Sequence, residues 1–332
     1  MERKKILVTG GAGYIGSHVV NLLGSAPENY EIVVLDNLST GRRESVLYGE
    51  LVEEHLENLS AVEKIFAQEK FDAVIHFAGS IVVPESVTDP AKYYANNTEN
   101  SLHLLKLCIQ YKVKNFIFSS TAAVYGMGDG ESPCTEDDHT LPINPYGRSK
   151  LMTEWMLEDF AKAYDFNYVA LRYFNVAGAN IDGKVGQCTP NATHLIKIAS
   201  QCATGVREKM SLFGTDYPTA DGTCIRDYIH VDDLAQAHLD GLSYLLKGGE
   251  SQILNCGYGH GASVREVIAA VKEVSGVDIV VEETERRLGD AVQLISKADK
   301  IQSVLGWKPK YDDLKLIVKT ALDWEEKLKN SP

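Results

Sequence analysis

The sequence predicts a doubly wound parallel α/β fold followed by a smaller mixed α/β C-terminal lobe. Three observations carry this. Short continuous apolar runs alternate with helical stretches through the first half, the first run ends in a glycine-rich turn, and the alternation loosens after about residue 176. Apolar runs without polar alternation belong to strands covered on both faces, as in parallel sheets flanked by helices.

The elements follow in order. Ile6-Leu-Val-Thr9 reads as a strand, Tyr14 to about Leu23 as a helix, and Ile32-Val-Val-Leu35 as a second strand. Ala61 to about Gln68 is helical, Ala73-Val-Ile-His-Phe77 is a strand, and a long helix is expected from about Asp89 to Tyr111 before strand Phe116–Ser119. From Tyr146 to about Tyr164, Leu151, Met152, Trp155, Met156, Phe160 and Ala163 recur at helical spacing. Tyr168–Leu171 is the next strand. Beyond it, turn-rich stretches at Ala177–Asn180 and Gly214–Gly222 separate shorter elements, and Leu314, Ile317, Ala321, Trp324 and Leu328 mark an amphipathic C-terminal helix. The expected division is 1–176 for the first domain, with segments near 225–256 returning to it, and 177–332 for the second lobe.

Composition narrows the function classes. The chain has 332 residues, 44% hydrophobic and 24% charged, the balance of an ordinary soluble protein with room for a sizeable core. No apolar run approaches the roughly 18 residues of a membrane span. The basic start, Met1-Glu-Arg-Lys-Lys, is followed by only three apolar residues before Thr9, too few for an export signal. A net charge of −13 argues against a nucleic-acid surface. The six cysteines (Cys108, Cys134, Cys188, Cys202, Cys224, Cys256) form no close pair and the nine histidines show no metal-binding spacing, so free thiols in the cytoplasm and no metal are expected. In such a chain the Asn-x-Ser/Thr triplets at Asn58, Asn96 and Asn191 read as chance.

Thr9-Gly10-Gly-Ala-Gly13-Tyr14-Ile15-Gly16 follows the first strand and opens the first helix. Glycines there allow a tight turn and close approach of backbone to a pyrophosphate, whose charge the helix N-terminus favours. The spacing is one residue longer than the usual Rossmann fingerprint. Asp36 ends the second strand twenty residues after Gly16, with Asn37 beside it. A carboxylate there accepts hydrogen bonds from an adenosine ribose and repels a 2′-phosphate. Arg42 and Arg43 could bind such a phosphate, but Asp36 weighs for NAD over NADP. The first domain is therefore read as Rossmann-type.

Tyr146-Gly-Arg-Ser-Lys150 begins a predicted helix, and the i, i+4 spacing puts phenol and ammonium on one face. A phenol is a poor base near neutrality, but an adjacent ammonium and a positive nicotinamide favour the phenolate. Ser119-Ser-Thr121 ends a strand, where doubly wound sheets bind ligands, and offers a hydroxyl to the reacting oxygen.

With these residues in place, the chain resembles the UDP-glucose/UDP-galactose 4-epimerases of the extended short-chain dehydrogenase/reductase superfamily over nearly its whole length. Phe77-Ala-Gly79, Tyr93-Tyr-Ala-Asn-Asn97, Phe116–Ser120, Leu171-Arg-Tyr-Phe-Asn175, Arg226-Asp-Tyr-Ile-His230 and Arg286-Arg-Leu-Gly-Asp290 carry the resemblance. It implies that Tyr146 is the acid/base, that Lys150 holds the nicotinamide ribose and tunes Tyr146, and that Thr121 binds the sugar hydroxyl. It places NAD against the glycine turn, Asp36, Asn37, Phe77, Ala78, Gly79, Asn97, Ser119 and Phe174. It gives the UDP-sugar Asn175, Phe213, Arg226, Arg287, Asp290 and Leu294. The implied chemistry is redox-neutral: C4 of the sugar is oxidised, the 4-keto sugar turns over in its site, and hydride returns to the opposite face. A homodimer built on the Asp89–Tyr111 and Tyr146–Tyr164 helices is also implied.

Three positions depart from the family's pattern, and a fourth bears on sugar range. His55 stands where an Asp usually meets the adenine, with Glu57 and Asn58 as candidate substitutes. Ile81 replaces a Lys after Phe-Ala-Gly, and Ala192 replaces an Asn that touches the nucleotide. Leu294 is smaller than the Tyr of strict hexose epimerases and larger than the Cys or Ser associated with N-acetyl sugars. The expected substrates are UDP-glucose and UDP-galactose, with UDP-N-acetylhexosamines or UDP-pentoses as alternatives. Dehydratases and decarboxylases share the first oxidation, but dehydratases carry an Asp/Glu pair after the catalytic Thr, where this chain has Ala122-Ala123. A non-catalytic NAD-binding protein on the same fold is the remaining reading.

Overall fold

Strands and helices alternate from the first residues described. The structure, a computed structural model, describes residues 3–128, 132–190, 192–287 and 289–330. Met1, Asn191 of the third Asn-x-Thr triplet and Leu288 of the Arg286–Asp290 motif lie outside the described residues. In chain order the elements are β1 (Lys4–Thr9), α1 (Tyr14–Gly24), β2 (Tyr30–Asp36), β3 (Glu50–Glu53), α2 (Leu59–Gln68), β4 (Ala73–His76), α3 (Val83–Thr88), α4 (Pro90–Tyr93), α5 (Asn100–Gln110), β5 (Asn115–Ser119), α6 (Pro145–Ala163) and β6 (Asn167–Tyr173). There follow β7 (Asn175–Ala177), α7 (Leu195–Ala203), β8 (Lys209–Phe213), β9 (Ile225–Arg226), β10 (Tyr228–His230), α8 (Val231–Leu246), β11 (Gln252–Cys256), β12 (Ala262–Ser263), α9 (Val264–Ser275), β13 (Val280–Thr284), β14 (Gln293–Leu294), α10 (Asp299–Leu305) and α11 (Leu314–Lys329).

Seven strands form one parallel sheet in the order β11-β6-β5-β4-β1-β2-β3. This is the doubly wound, Rossmann-type fold. The apolar runs alternate between two helix layers, as their lack of polar residues requires. Ile6 and Val8 pack with Val19, Val20 and Leu23 of α1 and Leu234 of α8. Leu7 packs on the other face with Phe66 of α2, Leu104 and Leu105 of α5 and Leu157 of α6. Each buried side chain of this size contributes about 1.5–3 kcal/mol relative to exposure. A separate core of Ile196, Ala199, Val267, Val271, Ile317 and Val318 joins α7, α9 and α11 of the C-terminal lobe.

Two strands of the sheet escape the apolar-run reading. β3 is Glu-Leu-Val-Glu, with only its two central residues even half-buried, and β11 returns after the rhythm has loosened. The long helix expected from Asp89 is also interrupted: α4 passes into a π-helical stretch at Tyr94–Glu99 before α5 begins. Such a stretch changes the turn geometry locally and is often found at functional sites. It carries Asn96 and Asn97.

β1 and β4 are neighbours whose connections leave in opposite directions, and the crevice at their carboxyl ends is the ligand position in open α/β sheets. No helix among the described residues is long and apolar enough to cross a membrane.

Candidate active site

One cavity of about 390 Å³ runs across these strand ends, a size suited to a small organic ligand. At one end lies the glycine turn. Gly10 has φ +72°, and a Cβ there would stand 2.6 Å from the Ala78 nitrogen, so only glycine allows β1 and the segment after β4 to approach. Gly13 caps α1 and leaves the helix N-terminus facing the cavity, with no acidic residue in its first turn. Asp36 is buried; Oδ2 accepts from Ala12 N at 2.9 Å and Oδ1 from Leu38 N at 2.8 Å, leaving each oxygen a further lone pair. Burial pushes the Asp36 carboxyl upward and the two amide donors oppose that. Arg43 is paired with Glu53.

The turn, the helix N-terminus and the ribose-facing carboxylate fit a dinucleotide. Gly10, Gly13, Tyr14, Ile15, Gly16, Asp36, Asn37, Phe77, Ala78, Gly79, Ser119, Tyr146 and Phe174 all border the cavity. His55 does not: it lies half out of the protein between Asn37 at 3.3 Å and Glu57 at 3.6 Å, and Glu54 and Leu56 on either side of it line the cavity. Of the candidate substitutes, Asn58 is engaged within its own helix start. Asn58 caps α2 by accepting from Ala61 N and donates to Glu54, and Glu57 is largely exposed.

At the other end Thr121, Tyr146 and Lys150 converge. Asn144 caps α6 by accepting from Gly147 N at 2.9 Å, and Pro145 sets its first turn, so Tyr146 is delivered at the helix start. A Cβ on Gly147 would meet the Ala123 carbonyl oxygen at 2.7 Å, so glycine lets α6 reach the turn after β5. Tyr146 shares a side-chain hydrogen bond with Thr121, and its ring packs edge-on against Tyr93 at 6.5 Å. Lys150 Nζ donates to the Ser119 carbonyl oxygen at 2.9 Å and lies over the Phe118 ring.

Burial raises the Tyr146 phenol above its ordinary value, with the Thr121 hydrogen bond opposing it. Desolvation also lowers Lys150 to about 8, against the pull of Glu154. Both shifts follow from enclosing charge in a low-dielectric site.

Two expected cofactor contacts stand behind the wall. Asn97 is buried and its amide is spent on Ser80 and Ser149: Oδ1 accepts from Ser80 N at 2.7 Å, and Nδ2 donates to Ser80 O and Ser149 Oγ, both at 3.0 Å. Lys150 likewise is almost wholly buried.

The expected UDP residues divide into two groups. Asn175 and Leu294 border the cavity with Thr121. Phe213, Arg226, Arg287 and Asp290 form an adjoining cluster: Arg287 Nε donates to Asp290 Oδ2 at 3.0 Å, its guanidinium lies 4.6 Å from the Phe213 ring centre, and Arg226 Nη2 is 3.8 Å from Asp290. Ala192 is buried.

Sequence reasoning missed several wall residues. Gln187 Nε2 donates to His194 Nδ1 at 2.8 Å, and both line the cavity. They sit in a segment without periodic signal. Tyr173 was signalled, since alternation along β6 turns it toward the same side as Ser119, whose hydroxyl lies 2.7 Å from the Tyr173 hydroxyl.

A fold with this switch-point crevice and a Tyr-x-x-x-Lys pair defines a nucleotide-dependent oxidoreductase-like enzyme, and the chain belongs to the NAD dependent epimerase/dehydratase family, whose model matches residues 6–257. It is 53% identical to a UDP-glucose 4-epimerase of Azospirillum brasilense, covering 98% of this chain and 93% of that one. Its structure matches that of a UDP-glucose 4-epimerase from Brucella ovis in complex with NAD with a TM-score of 0.93, at 43% identity over 96% of this chain and 98% of that one. It also matches the UDP-Glc/GlcNAc 4-epimerase from Campylobacter jejuni with a TM-score of 0.85, at 52% identity over 98% and 99%.

Proposed function

We propose that the chain is an NAD-dependent 4-epimerase of UDP-sugars, interconverting UDP-galactose and UDP-glucose. The observation that carries this is that Thr121 and Tyr146 border one cavity whose far end is the dinucleotide cradle, with Lys150 directly behind them, its ammonium on the Ser119 carbonyl. Residues 1–176 with the returning 225–256 segments hold the dinucleotide, and the rest of 177–332 holds the UDP-sugar.

NAD, when bound, supplies the hydride acceptor and donor. Gly10, Gly13 and the α1 N-terminus hold the pyrophosphate, and Asp36 the adenosine ribose. Tyr146 accepts the proton of the sugar 4-hydroxyl and later returns it, while Thr121 holds the same oxygen by its hydroxyl. Lys150 binds the nicotinamide ribose and opposes the burial that keeps Tyr146 neutral. Arg226 and Arg287 make charge-assisted bonds to the UDP diphosphate, and Phe213 stacks beside the base.

Leu294 borders the sugar end, so its isobutyl group sets the room beside the 2-substituent. Its intermediate size supports hexose substrates first and N-acetylhexosamines second, and the 52%-identical relative from Campylobacter jejuni is named for both. Elimination of water is disfavoured: Ala122 and Ala123 line the cavity beside Thr121, and the carboxylates among the described lining residues, Asp36 and Glu54, are at the adenosine end.

We further infer a cytoplasmic homodimer. The exposed Trp155 on α6 and Val87 on α3 support a helix-pair interface, and Cys108, Cys188, Cys202, Cys224 and Cys256 form no disulfide, as in a reducing compartment.

The test is incubation with UDP-galactose without added NAD, with products resolved by NMR. UDP-glucose forming with wild-type protein and lost with Tyr146→Phe supports the reading. A 4-keto-6-deoxy product, or no turnover even with NAD added, contradicts it.

A further inference from the structure

Ser119 ends β5, Ser120 N donates back to the Phe118 carbonyl at 3.1 Å, and Thr121 is extended at φ −162°. Ser119 and Thr121 face the cavity. Ser120 is fully buried on the other side, where its hydroxyl donates to Oε1 of Glu154.

Glu154 lies one helical turn beyond Lys150 on α6 and is 1% exposed. The same carboxylate takes Arg172 in a fork: Nε donates at 3.1 and 3.2 Å to its two oxygens and Nη2 at 2.7 Å. Arg172, on β6 beside β5, spends Nη1 on the Tyr125 hydroxyl at 3.0 Å and the Glu136 carbonyl at 3.4 Å. Tyr125 closes the turn that Thr121 opens, and its hydroxyl donates to Asn255 Oδ1 at 2.6 Å. One carboxylate is thereby tied to the strand end, to the neighbouring strand and, through Arg172, to the turn.

Stability alone does not call for this pair, because buried ion pairs lose in desolvation about what they gain in attraction. Their position argues for a use. We propose that Glu154 is a positioning residue for the reaction: through Ser120 it fixes the strand end that sets Thr121 against Tyr146 and the Ser119 carbonyl against Lys150, and it is the counter-charge shared by Lys150 and Arg172. The proposal rests on the epimerase reading. The other titratable groups around Lys150 and Glu154 are Tyr146 on α6, His76 on β4, and Tyr168 on β6; burial, aided by Lys150, keeps His76 neutral, with a pKa of about 3.

Ser120→Ala and Glu154→Gln in the full-length protein test it, with UDP-galactose turnover followed against pH and thermal midpoint measured in parallel. Ser120→Ala is expected to lower kcat roughly tenfold with KM changed by less than about twofold, because small misplacements of reacting groups cost rate rather than binding. Glu154→Gln is expected to lower kcat further and to move the alkaline limb to lower pH, since Lys150 then shares its surroundings with an uncompensated Arg172. Wild-type kcat and an unmoved limb in both variants, with only the thermal midpoint lowered, overturns the proposal while leaving the epimerase reading intact. Should Glu154→Gln not fold, Ser120→Ala, which removes one hydroxyl, decides. Wild-type protein that fails to turn over UDP-galactose overturns both.

Discussion

Leu294 and Arg226 are register partners across the parallel β14–β9 pair. The backbone of a cavity-lining residue and that of an arginine of the adjoining Arg/Asp cluster are therefore one strand spacing apart, about 4.8 Å. Arg226 is itself anchored, with Nη1 donating to the Ile225 and Ala291 carbonyls at 2.8 and 2.9 Å. A diphosphate held by Arg226 would bring its sugar against Leu294.

Changing the size of Leu294 should therefore change sugar range more than nucleotide affinity. Leu294→Ala is expected to raise kcat/KM for UDP-N-acetylgalactosamine relative to UDP-galactose by about tenfold, and Leu294→Tyr to lower that ratio similarly, on the scale of a few methylenes. Competition by UDP should be unchanged in both. Equal ratios across the three proteins would separate Leu294 from specificity.

Under the proposed mechanism Lys150 sets the alkaline side of activity. Its lowered pKa of about 8 means the ammonium is lost as pH rises through that value, and with it the charge that the proposal sets against the burial of Tyr146. Turnover of UDP-galactose should fall above this pH, and Lys150→Met should lose about a hundredfold or more at every pH. The profile of kcat in both proteins checks this.

Acid should weaken the fold before it reaches the carboxylates. His76, His230 and His238 are buried, and burial lowers them to about 3, 4 and 4. Their folded values lie below the unfolded one of about 6.5, so the unfolded chain binds more protons in between and stability falls as pH drops below 6.5. At pH 5 the loss is on the order of 1–2 kcal/mol for each histidine. Thermal midpoints at pH 7.5 and 5 measure it, and His238→Phe should flatten the dependence.

The proposal rests the choice of dinucleotide on Asp36. Asp36→Ala removes the acceptors of Ala12 N and Leu38 N together with the ribose partner. NAD affinity should fall tenfold or more, as for losing charge-assisted hydrogen bonds of about 1.5–3 kcal/mol, and the preference over NADP should narrow. Fluorescence titration with each dinucleotide reads both.

Much of this was legible in the sequence, for identifiable reasons. β1, β2, β4, β5 and β6 announce themselves because strands buried on both faces are continuously apolar, and the glycine turn because Gly10 and Gly16 meet backbone where a Cβ would not fit. Tyr146 and Lys150 are local, one turn apart on a helix whose Asn144-Pro145 start is visible. What stayed hidden is long-range. Ser120 meets Glu154 and Arg172 only once β5, α6 and β6 are assembled, and Gln187 and His194 reach the cavity from an aperiodic segment. The upward pull of burial on the Tyr146 phenol also stayed hidden, because sequence spacing supplies the neighbouring ammonium but not the depth of burial.

The most direct test of the central claim uses UDP-galactose deuterated at C4, incubated with the protein as purified. Deuterium retained at C4 of the UDP-glucose product, with no exchange into solvent and no turnover by Tyr146→Phe, is the expected result. Loss of the label to water, or epimerisation that survives Tyr146→Phe, would contradict oxidation and return at C4 under Tyr146 control.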